Sequence, residues 1–293
     1  MKARTLLELG RVSNLPTVFS NVLCGAALTG ERLRPLPLAM ALLAGSLFYV
    51  GGMFLNDAFD ATVDAKERPE RPIPSGRATR SSVLGMGFGM LAAGEALLAI
   101  SALSGLAPSG ALLPAAGWAT ATAVIVYDRF HKGLAWSPVV MGLCRAGLYV
   151  VGAASVAEHV DFGVGLAALT LLLYVVGLTH IARFENASAV GRIWPTLFVF
   201  SPVALALSQP IAQVRAGVPM LVLTLVSIAW SLRALGFARA GGRSIGRAVV
   251  ALIAGISLVD AVFAASRAGL VLATLSVGCW GLTLLGQRAI RGT

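Results

Sequence analysis

Apolar stretches of bilayer length recur down the entire chain, separated by short polar connections. Spanning the hydrocarbon takes about 20 apolar residues, and such stretches fall roughly at 12–30, 36–57, 82–104, 108–127, 135–157, 162–182, 194–212, 216–235, 247–265 and 268–287. With 57% hydrophobic and 12% charged residues, the composition excludes an ordinary soluble domain. The sequence therefore predicts an all-α, polytopic membrane bundle of nine to ten transmembrane helices, organised as a single domain over residues 1–293. The first span follows Met1-Lys2-Ala3-Arg4 without a small-residue cleavage site and reads as a retained helix, not a signal peptide. Cys24, Cys144 and Cys279 all lie inside apolar stretches, where cysteine acts as a small hydrophobe with no disulfide or zinc spacing.

A net charge of +10 raises the possibility of nucleic-acid binding, but its distribution argues against it. With ten spans, 18 of the 23 basic residues fall on the side of both termini. Only Arg32, Arg34, Arg215 and Arg267 lie opposite, and Arg145 is within a span. Cytoplasmic loops carry the Lys/Arg excess, so the reading is a multi-pass protein of the cell inner membrane with a cytoplasmic N-terminus. Its medium is the lipid bilayer, and no nucleic-acid partner is implied. The two longest cytoplasmic connections are 58–81, rich in charge and proline, and 236–246, "GFARAGGRSIG", glycine-rich and basic.

The run "FLNDAFDATVDAKERPERPIPSGRATR", residues 54–80, carries the chemistry. If the second span stays helical through residue 64, Asn56, Asp57, Asp60 and Asp64 lie at roughly 0°, 100°, 40° and 80° around it. Three carboxylates and an amide on one arc repel one another unless a cation sits among them. Hard oxygen ligands suit Mg²⁺, which takes few carboxylates, several waters and phosphate oxygens. Behind the cluster come Lys66, Arg68, Arg71, Arg77 and Arg80, with Arg71 in a turn stiffened by Pro72 and Pro74. Metal-bound carboxylates beside fixed arginines make a diphosphate site. At the mouth of an apolar cavity, such a site suits a substrate with a charged head and a hydrocarbon tail.

"NDAFDATVD" resembles the Asn-Asp-x-x-Asp-x-x-x-Asp motif of the UbiA superfamily of intramembrane prenyltransferases, and "RPIPSG" resembles the segment that follows it there. The fuller "ERPERPIPSGRA" is most similar to the EboC-type branch, and "ELGRVSNLPTVFSN" resembles the family's first helix, with Arg11 and Asn14 in familiar places. The resemblance implies helices around a central cavity opening at the cytoplasmic rim. It also implies Mg²⁺-dependent transfer of a prenyl group from a prenyl diphosphate donor to a small-molecule acceptor that the sequence does not identify. Asn56, Asp60 and Asp64 would hold the metal–diphosphate with Asp57 beside them, Asp60 and Asp64 acting as catalytic ligands, and Arg68, Arg71 and Asn14 contacting substrate.

The family's second aspartate motif, after span six, is degenerate here: "GLTHIARFENASAVGR" has no aspartate. Its candidates are His180, Arg183, Glu185 and Asn186. Glu185 would carry a metal contact and Arg183 would touch phosphate directly. In "VYDRFHKG" after span four, Tyr127 and Lys132 are similar to a family tyrosine–lysine pair. Lys132 would neutralise the leaving diphosphate, oriented by Asp128 four residues before it.

Glu95, Arg145 and Asp260 lie within spans at a depth of about 15–20 Å. Intramembrane ionisable groups are costly and face an interior or a cavity, so either Arg145 pairs with Glu95 or Asp260 inside the bundle, or these groups take part in cavity chemistry. Gly51 and Gly52 are expected to admit close packing of span two. Phe48, Tyr49, Phe54 and Phe59 are core packing or the wall of an isoprenoid channel. Two other functions fit parts of the pattern. One is transfer of a phosphorylated sugar or polyol group onto a polyprenyl phosphate. The other is a non-catalytic lipid-binding or transport protein, which the degenerate second motif leaves open.

Overall fold

The computed structural model describes residues 1–132, 134–184, 194–208, 217–267 and 270–290, and among these there is helix but no strand. A short α1 (Ala3–Leu9) leads through a 3-10 turn (Val12–Asn14) into α2 (Leu15–Leu28). Then come α3 (Pro35–Glu67), α4 (Arg80–Leu103), α5 (Leu112–Phe130), α6 (Ser137–Val156) and α7 (Phe162–Ala182). A 3-10 segment (Trp194–Phe200) continues into α8 (Ser201–Ser208), followed by α9 (Gly217–Ala240), α10 (Ser244–Arg267) and α11 (Leu270–Ala289). Among the described residues each of the ten expected spans falls on helix, although α5, on the fourth, is not among those long and apolar enough to cross a membrane. Seven helices (α3, α4, α6, α7, α9, α10 and α11) are long and apolar enough to cross a membrane, whereas the first and seventh expected spans hold the shorter apolar segments Val12–Leu28 and Thr196–Ala206.

Local chemistry sets the helix ends. Prolines stand in the first turns of α2, α3 and α6, where no intrahelical N–H is needed. Thr79 caps α4 by accepting from the Ser82 N–H, and the Asp161 carboxylate caps α7 by accepting from the Val164 N–H at 2.7 Å. The 33-residue α3 is about 50 Å long, well beyond a hydrocarbon core of about 30 Å. It stops at Glu67 because Pro69 pushes Arg68 out of the helical region, to φ −142° and ψ 63°. This overhang carries the Asn56–Asp64 run as continuous helix, as the sequence required.

The centre of the bundle is α10, almost wholly buried against α2, α7, α9 and α11. Its backbone accepts hydrogen bonds from the Trp230 indole at 2.7 Å (Ala251 O) and the Tyr174 hydroxyl at 2.9 Å (Leu252 O). Helices α2 and α6 approach closely. A Cβ on Gly25 would overlap the Tyr149 carbonyl, and one on Gly152 would overlap the Val22 carbonyl, so only glycine permits the approach. Gly51 serves the same purpose between α3 and α4: a Cβ there would lie 2.9 Å from the Gly87 carbonyl oxygen. The three cysteines are free.

The intramembrane charges are buried as expected, but their partners differ. Glu95 and Arg145 do not pair: Glu95 lies against Gly117, and neither of its oxygens has a hydrogen-bond partner among the described residues. Nor does Arg145 touch Asp260. Its Nη1 donates to Thr17 Oγ1 (3.0 Å) and Asn21 Oδ1 (3.1 Å), and the Asn21 amide donates to both Asp260 oxygens (3.1 and 2.9 Å). The amide of α2 stands between the two charges because α2 lies between α6 and α10 at this level.

Candidate active site at the helix-end rim

A cavity of about 340 Å³ lies among the 3-10 turn before α2, helices α3, α5, α6, α7 and α10, and the loop after α3. One end is a belt of charge comprising Arg11, Asn56, Asp60, Asp64, Glu67, Arg68, Arg71, Asp128, His131 and Lys132. The other is mostly apolar, with Phe48, Leu148, Val175, Ile253 and Ile256 on its walls.

Helix α3 presents the acidic side chains, and three other segments bring cations to them. Asp64 accepts from Arg71 Nη1 at 2.8 Å, and Asp57 accepts from the same nitrogen at 3.3 Å. Arg71 is held by its turn: the Ser75 N–H and hydroxyl both donate to its carbonyl, Gly76 takes φ +74°, and Arg80 Nε donates to the Ala58 carbonyl at 2.8 Å. Asp60 receives Lys132 Nζ at 2.8 Å and His131 Nε2 at 3.4 Å, both from the end of α5. Arg11, just before the 3-10 turn, donates to Asp57 Oδ1 at 3.1 Å and lies 3.5 Å from Asn56 Oδ1. Its backbone is left-handed (φ 42°, ψ 45°), the single non-glycine of that kind among the described residues, and its carbonyl accepts from the Tyr49 hydroxyl at 3.3 Å. Strain of this sort persists where surrounding contacts over-determine it.

Of the sequence candidates, Asn14, Asn56, Asp60, Asp64, Arg68, Arg71, Tyr127 and Lys132 all line the cavity. Asn14 is fixed by the Gln287 amide of α11 at 2.9 Å. Asp57 is off the wall, turned toward Arg11 and Arg71. Arg183 is also off the wall: its Nη2 donates to the carbonyls of Leu134 (2.6 Å) and Ala135 (3.2 Å) and to Ser137 Oγ (2.7 Å). His180 meets the Phe184 ring edge-on at 5.3 Å. Glu185 and Asn186 lie outside the described residues.

Asp128 does not orient Lys132, which goes to Asp60; its Oδ1 instead accepts from the Asn56 amide at 3.4 Å, while Oδ2 is buried without a partner. Sequence reasoning passed over His131, which stacks on Tyr127 with ring centroids 5.0 Å apart. The signal was present, since residues four apart on a helix share a face.

Among the described residues no three His, Cys, Asp or Glu side chains converge into a ready-made metal cage. The donor set still fits Mg²⁺, which uses one or two carboxylates and completes its shell with water and phosphate oxygens. Asn56, Asp60 and Asp64 offer oxygens at one cavity wall, and Asp128 Oδ2 is an unused buried acceptor beside them.

Comparison with known proteins agrees with this geometry. The profile of the UbiA prenyltransferase family matches residues 18–287, and the chain belongs to that family. It is an integral membrane protein of that family. A digeranylgeranylglyceryl phosphate synthase of Ignicoccus hospitalis is 39% identical over 105 residues, covering 36% of this chain and 34% of that protein. The chain thus spans about a third of the length of the first curated relatives it matches. The apo structure of a UbiA homolog from Aeropyrum pernix K1 superposes with a TM-score of 0.63 at 18% identity, covering 84% of this chain and 95% of that one. A UbiA homolog from Archaeoglobus fulgidus bound to GPP and Mg²⁺ gives a TM-score of 0.53 at 13% identity, covering 97% and 98%.

Proposed function

We propose that the chain, acting as one membrane domain over residues 1–293, transfers a prenyl group from a prenyl diphosphate to a small-molecule acceptor, with Mg²⁺ at the rim and a cytoplasmic N-terminus. The observation that carries this reading is the continuity of the cavity. A belt of carboxylates and guanidinium groups opens directly onto an apolar chamber, matching a diphosphate head and a hydrocarbon tail. The Archaeoglobus fulgidus homolog, bound to GPP and Mg²⁺, supports it by analogy.

Asn56, Asp60 and Asp64 would hold the metal, with Asp128 Oδ2 close by. Bound there, Mg²⁺ supplies charge neutralisation for a departing diphosphate. Arg68 and Arg71 bind the phosphate oxygens, and Lys132 swings from Asp60 onto the leaving group. The bond that breaks joins the prenyl carbon to the diphosphate oxygen, and its electron pair leaves with the diphosphate. Phe48, Leu148, Val175, Ile253 and Ile256 keep water from the allylic cation. The acceptor's electron-rich atom then forms the new bond and loses its proton toward the diphosphate at the rim. The names of the matched relatives point to acceptors of the glycerol phosphate type.

The test incubates purified protein with geranyl diphosphate, Mg²⁺ and an acceptor panel, and follows diphosphate release and prenylated product by mass spectrometry. Wild type forms product, and Asp60→Asn and Asp64→Asn each lose it. Product formation indifferent to both substitutions overturns the site assignment.

A further inference from the structure

Beyond the rim belt, one charged residue faces the apolar part of the cavity among the described lining residues: Arg145, in the middle of α6. It lies eight residues into that helix, about 12 Å below its first turn. The residue is less than a tenth exposed, yet only Nη1 is engaged, by Thr17 and Asn21. Among the described residues Nε and Nη2 make no hydrogen bond, and neither nitrogen is fully enclosed. These N–H groups therefore open to the cavity space that Arg145 lines.

The surroundings hold the guanidinium in place without neutralising it by contact. Thr17 Oγ1 is fixed by donating to the Asn14 carbonyl at 2.7 Å. The Asn21 oxygen faces Arg145 because its amide nitrogen is spent on Asp260, which also accepts from the Tyr149 hydroxyl at 2.6 Å. The Tyr49 ring lies under the guanidinium, 5.3 Å from Cζ to centroid. A membrane-buried cation with free donors is costly alone. Guanidinium matches planar oxyanions in particular.

We infer that Arg145 binds an anionic oxygen group (carboxylate or phosphate) on the acceptor, so that the acceptor class is anionic amphiphiles. This rests on the transferase reading above for the word acceptor, but the anion subsite is testable without turnover. The rim cations take the donor's diphosphate, and Arg145 takes the second substrate's charge, which keeps the two anionic groups apart and leaves the reacting atoms to meet between them.

Equilibrium binding is measured on wild type, Arg145→Gln and Arg145→Lys in nanodiscs. The probes are a hydroxybenzoate against its methyl ester, and an alkylglycerol phosphate against the parent alkylglycerol. Wild type binds at least one anionic probe more tightly than its uncharged counterpart. Arg145→Gln weakens that probe by about 10- to 100-fold, as expected for a lost charged hydrogen bond, and leaves the uncharged counterpart within about twofold. Arg145→Lys, which keeps the charge but not the fork of donors, weakens it less. The carboxylate and phosphate arms identify which anion is used. Equal binding of charged and uncharged probes by wild type overturns the inference, as does an Arg145→Gln loss that is the same for both. If Arg145→Gln unfolds, Arg145→Lys carries the same comparison. Retained, Arg145-dependent anion binding without any prenyl transfer would leave the subsite standing and remove the transferase reading.

Discussion

Two helix ends, those of α3 and α7, meet the same rim and are built in opposite ways. Helix α3 overruns the bilayer by several turns and presents Asn56, Asp57, Asp60 and Asp64, so cations from three other segments travel to it. Helix α7 stops at Ala182, and its terminal cation travels outward: Arg183 donates to the Leu134 and Ala135 carbonyls and fastens the connection into α6. One end gathers side chains of opposite charge, and at the other Arg183 spends its charge on the protein's own backbone. Under the proposed function, spacing of acidic residues along an extended helix, more than the presence of charge at the rim, is what makes a phosphate-binding face.

The largest test of this contrast is Asp60→Asn. It keeps the shape of α3 but removes the carboxylate that Lys132 and His131 face, and turnover is expected to fall on the order of 10²–10³-fold in a product assay. Chelation of divalent ions should reproduce that loss, with activity returning on added Mg²⁺. Next, Arg71→Lys keeps the charge but cannot bridge Asp57 and Asp64 as the rigid guanidinium does; the Michaelis constant for the donor is expected to rise about tenfold, with turnover less affected. At α7, Arg183→Ala should lower thermal stability by about 1 kcal/mol through lost hydrogen bonds, read as a decrease in melting temperature. A collapse in donor affinity in that variant would show that the α7 end also serves the ligand.

The smallest expected effect concerns the N-terminal arm. Arg77, followed by Arg4, holds the Glu8 carboxyl below its ordinary value, and this ion pair ties α1 to the loop after α3. A depressed carboxylate stabilises above the unfolded-state value of about 4.3 and loses that contribution as pH falls through the folded value. Limited proteolysis near α1 should therefore accelerate on acidification toward pH of about 4, and Glu8→Gln should remove the step.

Much of this was legible in the sequence because bilayer crossing is a strong, one-dimensional constraint. Apolar length located the helices, and the 56–64 spacing announced a shared helical face before any coordinates. Contacts between distant segments were not legible. The pairing of Arg145 failed as an expectation because charge complementarity cannot foresee that the Asn21 amide would stand between it and Asp260. Glu95 likewise gave no sign of lying against Gly117 without a hydrogen-bond partner. Lys132 was correctly associated with the rim, yet its partner is Asp60, 72 positions away, and not its own helical neighbour Asp128.

For the proposed transferase, the glycine-mediated crossing of α2 and α6 has a consequence for how substrates get in. With backbone resting on backbone at Gly25 and Gly152, that junction has no side chains to repack and so no soft mode along which to hinge. Admission of a long greasy molecule must then be accommodated by the peripheral helices, leaving the two that carry Asn21 and Arg145 as the fixed frame against which everything else breathes.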